Sequence, residues 1–212
     1  MNENSKINFY GRDFLITPDV LIPRPETEQA IDIVLNLAGI PYLPGVKPSA
    51  PQISKDITIL DVGTGSGCIA ITLAKELPEA KIYASDVSEK ALKVAQKNAK
   101  LHGVSPTFIV SYLLDNVKFT PDLIVANLPY VDPEWDWLDK KALSKEPAIA
   151  LYAKDHGLSL IKKLIDQCTE REIQRLVLEA DPCQHQKIVA YARGYDLQET
   201  CGFILYMRLK SH

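Results

Sequence analysis

The fold class of this chain of 212 residues rests on the stretch Asp61-Val62-Gly63-Thr64-Gly65-Ser66-Gly67. A strand-like run leads into Asp61, and an apolar stretch with helical spacing begins near Cys68. Three alternating glycines between a strand and a helix permit a tight turn that places bare backbone amides at a helix N-terminus, where a ligand can approach closely. The spacing G-x-G-x-G differs from the dinucleotide fingerprint G-x-G-x-x-G, so it favours a nucleoside with an amino-acid tail over a pyrophosphate. A tight turn without any ligand is the alternative interpretation.

Strand-like and helix-like stretches alternate around this loop, as is typical of a mostly parallel sheet covered on both faces. Strands are predicted at 57–62, 81–85, 107–110, 123–126 and 175–179, and helices at 68–77, 88–101, 158–168 and 184–192. Two final strand-like runs, 195–200 and 203–209, are separated only by Cys201-Gly202, and so short a connection forces antiparallel pairing. We therefore expect an α/β, Rossmann-like fold with a mostly parallel seven-stranded sheet, helices on both faces and a C-terminal antiparallel hairpin.

The N-terminal part of the chain follows a different pattern. Residues 7–16 alternate imperfectly around a glycine, which predicts a small hairpin. A proline followed by acidic residues then marks the start of a helix at 26–38. The stretch 39–56 is rich in proline, which excludes a continuous helix or a central strand. We expect an N-terminal hairpin or extension over 1–25 and one main domain over 26–212 that contains the proline-rich loop.

The composition restricts the partners and the compartment. The formal net charge is -3 and the sequence pI is near 5.8, so no overall basic field attracts nucleic acid or an anionic membrane. The four cysteines show no paired spacing, and no apolar run is long enough for a membrane span. The polar N-terminus carries no signal-peptide core. These features predict a cytoplasmic protein with reduced thiols, no membrane contact and a small polar or protein substrate.

Two further strand ends carry candidate functional residues. Asp86 ends the strand that follows the glycine loop, nineteen residues after Gly67, where a carboxylate can accept hydrogen bonds from both hydroxyls of a ribose. The tetrapeptide Asn127-Leu128-Pro129-Tyr130 follows the strand at 123–126. Because carboxyl ends of parallel strands share one edge of the sheet, we expect this tetrapeptide to lie beside the glycine loop. Taken alone, it is also compatible with an ordinary Asn-x-Pro turn.

The tetrapeptide can hold a planar nitrogen. The carboxamide oxygen of Asn127 and the backbone carbonyl of Leu128 can both accept hydrogen bonds from an NH2 group. Pro129 restricts the backbone of Leu128, and the ring of Tyr130 can lie on a flat group. Together with the glycine loop, these residues predict methyl transfer from S-adenosylmethionine to such a nitrogen, with S-adenosylhomocysteine as the second product. The sulfonium leaves as a neutral thioether, so positioning and electrostatics suffice, and no metal is predicted.

Several stretches of the chain resemble the release-factor glutamine methyltransferases, the PrmC/HemK family. The resemblance begins near Asn8 and continues to the C-terminus. The stretches that show the resemblance are 17–28 (TPDVLIPRPETE), 61–67 (DVGTGSG), 85–88 (SDVS), 127–130 (NLPY), 146–151 (EPAIAL) and 157–158 (GL). The first and the last two are more specific to this family than the glycine loop, which is common to methyltransferases of this fold.

The resemblance implies a class I S-adenosylmethionine-dependent methyltransferase that acts as a monomer on the glutamine of the Gly-Gly-Gln loop of peptide chain release factors. The residues it assigns to the cofactor are Asp61, Gly63, Thr64, Gly65, Ser66, Gly67, Asp86, Tyr112 and Asn127. Those it assigns to catalysis and to the substrate glutamine are Asn127, Leu128, Pro129 and Tyr130. Glu26 and Glu28 can face the active site by the same likeness, although a helix start is itself a reason for them.

The chain departs from the family pattern in three places. Leu128 stands where the family motif Asn-Pro-Pro-Tyr has its first proline, which keeps the carbonyl and removes rigidity worth ~0.4–1 kcal/mol. Ser111 stands where the family has an acidic residue near the adenine, while the aromatic Tyr112 follows it and can cover the adenine. The family also commonly has a helical bundle that precedes the hairpin and helps to hold the release factor, whereas this sequence starts at the hairpin. Either a minimal enzyme docks without that bundle, or the acceptor is different.

Two other functions use the same motifs. An adenine-amino methyltransferase of DNA or RNA also holds a flat NH2 group, in a base flipped out of its stack, but it is expected to have a basic surface or a target-reading domain. A binding module that has lost its chemistry is the second alternative, and Leu128 and Ser111 favour it. Trp135 and Trp137 form either a flap over the substrate mouth or half-buried anchors of a loop, and we favour the anchors.

Overall fold

The structure of the protein, a computed structural model, describes residues 5–40, 52–144 and 146–211. A hairpin is formed by β1 (Ser5–Phe9) and β2 (Arg12–Ile16), which pair antiparallel and confirm the hairpin predicted at 7–16. The remaining strands form one sheet of seven. They are β3 (Thr58–Val62), β4 (Lys81–Asp86), β5 (Thr107–Val110), β6 (Leu123–Ala126), β7 (Arg175–Glu179), β8 (Tyr195–Cys201) and β9 (Ile204–Leu209).

The strand order in the sheet is β5-β4-β3-β6-β7-β9-β8. All neighbours from β5 to β7 are parallel, whereas β9 runs antiparallel to both β7 and β8. The predicted α/β fold, with a mostly parallel sheet and a C-terminal antiparallel hairpin, is confirmed. The chain moves outward from β3 to β5 and then returns to β6, so its direction of progress reverses between β3 and β6. Open sheets of this kind bind ligands at the carboxyl ends of the strands beside such a reversal.

The helices match the predicted ones closely, except for the short helix Lys140–Leu143, which was not predicted. Their bounds are α1 (Glu28–Leu37), α2 (Cys68–Glu76), α3 (Glu89–His102), α4 (Lys140–Leu143), α5 (Ser159–Glu170) and α6 (His185–Tyr191). A 3-10 turn at Pro25–Thr27 precedes α1, because proline is favoured in a first turn and has no N–H to lose there. Among the helices of the described ranges, none combines the length and apolar content needed to cross a membrane. Most of the predicted proline-rich loop at 39–56 lies outside the described residues.

The core is divided by the sheet into two layers. On β6, Leu123 and Val125 face the layer covered by α1 and α2, whereas Ile124 and Ala126 face the layer covered by α5 and α6. This alternation follows from the two-residue period of a strand. Full burial of such a side chain is worth about 1.5–3 kcal/mol. Helices on both faces thus leave the carboxyl edge of the sheet as the place for a ligand.

A buried asparagine joins the N-terminal hairpin to the glycine loop. The side-chain carbonyl of Asn98 on α3 accepts a hydrogen bond from the N–H of Leu15 (2.8 Å), and its NH2 group donates to the carbonyls of Leu15 (3.0 Å) and Ser66 (2.9 Å). Phe9 and Phe14 of the hairpin are buried in the same core layer as α1 and α2. The hairpin therefore contributes to the support of the loop, while the predicted division into 1–25 and 26–212 stays a prediction.

Candidate functional site

The glycine loop between β3 and α2 is a tight turn whose amides serve the protein itself. Gly63, Gly65 and Gly67 all have positive φ, between +55° and +82°. The N–H groups of Gly63 and Thr64 donate to the carbonyl of Ser85, and that of Gly67 donates to Thr64. The N–H of Gly65 donates to the carboxylate of the next strand's end. The prediction of bare amides is therefore wrong for these four groups, because the neighbouring strand supplies acceptors for three of them and the loop carbonyl of Thr64 accepts the fourth.

Two of the predicted cofactor residues support the loop from behind. A Cβ on Gly67 would lie 3.0 Å from the Cβ of Ala95, so this glycine permits α2 and α3 to pack closely. The buried Asp61 carboxylate accepts hydrogen bonds from the hydroxyl of Thr64 (2.6 Å) and the N–H of Ala70 (3.2 Å). Its Oδ1 atom is buried without a hydrogen-bond partner among the described residues, and burial raises the pKa of Asp61 to about 7. Both assignments to the cofactor stay predictions.

Asp86, the predicted ribose-binding residue, ends β4, and its role stays a prediction. Its carboxylate accepts hydrogen bonds from the N–H of Gly65 (2.9 Å) and of Ser88 (2.8 Å), one at each oxygen. Each carboxylate oxygen can accept a second hydrogen bond. Burial raises the pKa of Asp86, although the hydrogen bonds from backbone amides oppose that shift. A fixed acceptor with spare capacity thus stands at the carboxyl end of β4.

A cavity of about 270 Å³ opens at this edge of the sheet. The predicted residues among its lining are Gly63, Thr64, Gly65, Ser66, Asp86, Tyr112, Asn127, Leu128 and Pro129. Tyr112 is partly exposed, and the Lys163 ammonium lies 4.2 Å from its ring centroid. Ser111 is buried, donates to the carbonyl of Leu113 (2.9 Å) and accepts from the N–H of Asn116 (3.0 Å). Its hydroxyl therefore closes the turn after β5.

The tetrapeptide after β6 touches the glycine loop. A Cβ on Gly63 would lie 3.0 Å from Cδ2 of Leu128 and 3.8 Å from the carbonyl oxygen of Asn127. The Leu128 side chain is buried and fills the space beside the loop. A second cavity, of about 210 Å³, lies on the other side of this contact and includes Tyr130 and Glu179 in its lining. Asn127 lines both cavities, so the predicted neighbourhood of the two motifs is confirmed.

A chain of hydrogen bonds fixes the orientation of the Asn127 side chain. Its NH2 group donates to the hydroxyl oxygen of Thr27 (3.1 Å), and that hydroxyl donates to Oε2 of the buried Glu179 (2.7 Å). A carboxylate can only accept hydrogen bonds, so the Thr27 proton must point to Glu179 and the Thr27 lone pair remains for Asn127. The NH2 group of Asn127 is thereby turned toward Thr27. Its carbonyl oxygen is left available as an acceptor.

Glu179 is a buried acid with several polar neighbours. Burial raises the pKa of Glu179 to about 7, and the nearby Glu26 also raises it, while hydrogen bonds from Thr27, Tyr130 and Asn127 oppose the shift. The Tyr130 hydroxyl donates to Oε1 of Glu179 (3.2 Å). Burial and the charge of Glu179 raise the pKa of Tyr130, so this phenol stays protonated. One carboxylate thus orients two residues of the tetrapeptide.

Sequence reasoning missed Thr27 and Glu179 as parts of the site. Glu179 ends β7, the strand beside β6, and a polar residue at the end of a central strand was an available signal. Thr27 lies within the family-like stretch 17–28, between Glu26 and Glu28. Of these, Glu28 accepts a hydrogen bond from the N–H of Tyr10 (2.7 Å), which ties α1 to the hairpin.

Two family-like stretches hold the segment that carries Thr27. The Glu146 side chain, only 4% exposed, accepts hydrogen bonds from the N–H of Ile22 (3.0 Å) and from the guanidinium of Arg24 (2.5 Å). Stretches 146–151 and 17–28 therefore act together. The ion pair is partly buried, and together with the hydrogen bond from Ile22 it joins the two stretches.

The backbone of Tyr130 is held from the other side by Gly157 and Gln184. The Gln184 NH2 group donates to the carbonyls of Tyr130 (2.8 Å) and His156 (2.8 Å). A Cβ on Gly157 would lie 1.9 Å from the carbonyl oxygen of Tyr130, and the φ of Gly157 is +83°. Only glycine fits this position without moving the tetrapeptide.

The loop after the tetrapeptide carries a stacked pair of tryptophans. The ring centroids of Trp135 and Trp137 lie 5.1 Å apart, with 20° between their planes. Trp135 is half-buried, but Trp137 is 63% exposed, so the interpretation of a half-buried anchor is wrong for Trp137. Both rings line the second cavity.

A cluster of possible metal ligands lies close to this loop. Ligand atoms of Asp132, Glu134 and His156 lie within 4.8 Å of one another. Asp132 and His156 form an ion pair at 2.8 Å when the imidazole is protonated, and Glu134 and His156 are exposed. The prediction that the chain needs no metal stays a prediction.

Known proteins match this fold and these motifs. Residues 49–139 match the family model described as the methyltransferase small domain. The release factor glutamine methyltransferase of Koribacter versatilis (strain Ellin345) is 44% identical over 165 residues, which are 76% of this chain and 54% of the relative. That of Bacillus cereus (strain ATCC 14579) is 31% identical over 210 residues, covering 89% of this chain and 70% of the relative. The chain thus spans between 49% and 70% of the length of such curated relatives.

A solved structure supports the fold. The crystal structure of ribosomal protein L11 methylase from Lactobacillus delbrueckii subsp. bulgaricus superimposes with a TM-score of 0.60 and 24% sequence identity. The match covers 91% of this chain and 82% of that chain. The predicted class I methyltransferase fold is confirmed by this likeness together with the observed strand order.

We expect Gly157→Ala to destabilise the protein far more than Gly103→Ala. Both glycines have positive φ, but a Cβ on Gly103 would meet nothing within 4 Å. The backbone cost of alanine in this region is roughly 1–2 kcal/mol in either variant. Overlap with the Tyr130 carbonyl adds about 1–3 kcal/mol in Gly157→Ala alone. Urea denaturation measures both losses, and equal losses would show that Tyr130 is not held by this contact.

Proposed function

Because the chain belongs to the release factor glutamine methyltransferase family, we propose that it transfers a methyl group from S-adenosylmethionine to the side-chain nitrogen of a glutamine in a peptide chain release factor. The observation that carries this proposal is the position of Asn127, which lines both cavities. A donor in the first cavity and an amide in the second would meet at this residue. The resemblance identifies the acceptor as the glutamine of the Gly-Gly-Gln loop.

The first cavity suits the cofactor. Its volume of about 270 Å³ is close to the lower end, about 300 Å³, of typical ligand cavities. Asp86 offers carboxylate oxygens with spare lone pairs for ribose hydroxyls, and the loop at Gly63 and Gly65 permits close approach of a ligand. Tyr112 offers an aromatic face at the rim for the adenine. When bound, the cofactor would supply the methyl group from its sulfonium, which becomes a neutral thioether. The substrate nitrogen that gains the methyl group would lose one of its N–H protons to water.

The second cavity suits a side-chain amide. The carbonyl oxygen of Asn127 and the backbone carbonyl of Leu128 would accept the two N–H bonds of the substrate NH2 group. An amide nitrogen is a weak nucleophile, so its orientation toward the methyl group decides the rate. The Tyr130 ring, held by Glu179, would cover the flat face of the amide. Preorganised acceptors of this kind act without reorganisation during the reaction.

Glu179 supports this arrangement as a positioning residue. As a carboxylate it accepts the Thr27 proton, so the Asn127 NH2 group stays on Thr27 and the carbonyl oxygen remains for the substrate. A protonated Glu179 could donate to Thr27 instead, and the Thr27 proton could then turn toward Asn127. That reversal would allow the amide of Asn127 to flip and to present a donor where the substrate needs an acceptor.

The other expectations about partners and location stay predictions. A cytoplasmic location, a monomeric state and the absence of a nucleic-acid substrate follow from composition and from the resemblance. The adenine-amino methyltransferase and the binding module without chemistry are tested as outcomes of the experiment on Asn127 below.

We expect Thr27→Val to lower kcat about 10- to 100-fold, because a misplaced catalytic group costs up to about 10²-fold. Valine has the shape of threonine but breaks the connection between Asn127 and Glu179. The matched control Thr27→Ser keeps the hydroxyl and should retain most of the activity. Steady-state kinetics at saturating cofactor measure both variants, and cofactor affinity by calorimetry should remain within about twofold. Equal activities of the valine and serine variants would contradict the role of the hydroxyl.

We expect the rate of transfer to rise with pH through about 7, where Glu179 loses its proton. Burial also raises the pKa of Asp61 to about 7, so the variant Glu179→Gln is needed to assign the step in rate to one of the two acids. Single-turnover rates from pH 5.5 to 8.5 should show the step in the wild type, and the glutamine variant should be slower without that step. A step that persists in Glu179→Gln would assign it to another group.

The stability of the fold depends on pH in the opposite direction. Because the pKa of Glu179 is raised in the folded protein, the contribution of Glu179 to stability falls as pH rises from the pKa of the unfolded chain toward 7.

We expect the wild type to methylate a purified bacterial release factor on its Gly-Gly-Gln glutamine, as seen by peptide mass spectrometry. Asn127→Ala should lower the rate about 10²- to 10³-fold, as removal of a preorganised polar group does, with cofactor affinity almost unchanged. The control Asn8→Ala removes an exposed hairpin asparagine and should retain full activity. Transfer to DNA or RNA instead would favour the adenine-amino methyltransferase. Cofactor binding without any transfer would favour the binding module that has lost its chemistry. Full activity of Asn127→Ala would contradict the site.

A further inference from the structure

The tryptophan pair contains one ring that is unusually exposed for so large an apolar side chain. Trp137 keeps 63% of its surface exposed although a large apolar ring is normally buried, and Trp135 stacks against it. An exposed aromatic cluster of this kind commonly marks a surface that binds another molecule. The two rings are also the only tryptophans in the sequence.

The pair is continuous with the proposed acceptor site. Trp135 and Trp137 line the same cavity as Asn127, Tyr130 and Glu179. A glutamine side chain that reaches Asn127 through this cavity would bring its neighbouring residues into the range of the indoles. The tryptophans are therefore placed to contact the acceptor protein rather than the cofactor.

The charges around the pair are acidic. Residues 132–139, with the sequence DPEWDWLD, contain four acidic residues and no lysine or arginine. Glu134 and Asp136, which flank Trp135, are exposed. Arg24 also lines the cavity, but its guanidinium is paired with Glu146 at 2.5 Å. Lysines follow at 140, 141 and 145.

We propose that the Trp135–Trp137 pair, with Glu134 and Asp136, binds an arginine side chain that lies beside the acceptor glutamine in the substrate protein. This inference rests on the proposed function and specifies what the substrate must present. An indole face attracts cations more strongly than the other aromatic rings. A guanidinium can also stack on the ring while its N–H groups reach a carboxylate, which an ammonium does less well.

The contact acts on binding and not on the chemical step. The arginine would be held equally in the ground state and in the transition state, because it is remote from the nitrogen that reacts. Such uniform binding lowers KM without raising kcat. The tryptophan pair is therefore a specificity-determining surface, and its effect is separable from that of Asn127.

Tryptophan fluorescence tests the inference directly, because both emitting residues belong to the proposed surface. The full chain is titrated with a short peptide that contains Gly-Gly-Gln and a neighbouring arginine, and with the same peptide carrying citrulline, a neutral isostere. We expect the arginine peptide to change the emission and to bind about 3- to 30-fold more tightly, a difference that falls with added salt and in Asp136→Asn. Equal affinities of the two peptides would overturn the inference.

Kinetics with an intact release factor give the second test. Trp137→Ala should raise KM for the release factor about 3- to 30-fold, with kcat and cofactor affinity within about twofold. The control Leu197→Ala truncates an exposed side chain on the outer strand β8 and should change neither constant. An unchanged KM in Trp137→Ala would overturn this inference alone. A wild type that transfers no methyl group to the release factor would instead overturn the proposed function, whatever the peptides show.

Discussion

The buried carboxylate of Glu179 is the constraint on which the site depends. Because a carboxylate only accepts hydrogen bonds, it sets the direction of the bond from Thr27 and, through Thr27, the orientation of the Asn127 amide. The same group orients the Tyr130 hydroxyl. Its raised pKa is the consequence of placing this acceptor in a buried position. Glu179 thus orients the Asn127 amide so that its carbonyl oxygen remains available as a hydrogen-bond acceptor.

The fold brings these groups together through the order of its strands. β6 lies between β3 and β7, so Asn127 stands between the glycine loop on one side and Glu179 on the other. Thr27 precedes the seven-stranded sheet in the sequence. The hydrogen bonds that Glu146 accepts from Ile22 and Arg24 hold the segment that carries Thr27. Each contact lies at the carboxyl edge, where helices on both faces leave room for ligands. The two cavities consequently share Asn127 and Leu128 among their lining residues.

Local patterns were sufficient to predict the sheet and the placement of the glycine loop, Asp86 and the tetrapeptide at one edge of it, since each is encoded by adjacent residues at a strand end. The link from Thr27 to Glu179 joins positions 152 residues apart, and no local pattern reports such a contact. The prediction of bare loop amides was wrong because Ser85 and Asp86 on the neighbouring strand accept hydrogen bonds from three of them and Thr64 accepts one from Gly67. The exposure of Trp137 also could not be predicted, because an aromatic ring in a loop is compatible with either burial or binding.

A crystal structure of the protein with S-adenosylhomocysteine and a glutamine-containing peptide is the most direct measurement of this account. We predict the thioether beside Gly63 and Asp86, with the substrate nitrogen on the Asn127 carbonyl oxygen and the Leu128 carbonyl, pointing at the sulfur. The Asn127 NH2 group should remain on Thr27. A peptide bound away from the second cavity, or an Asn127 amide turned to donate to the substrate, would contradict the account.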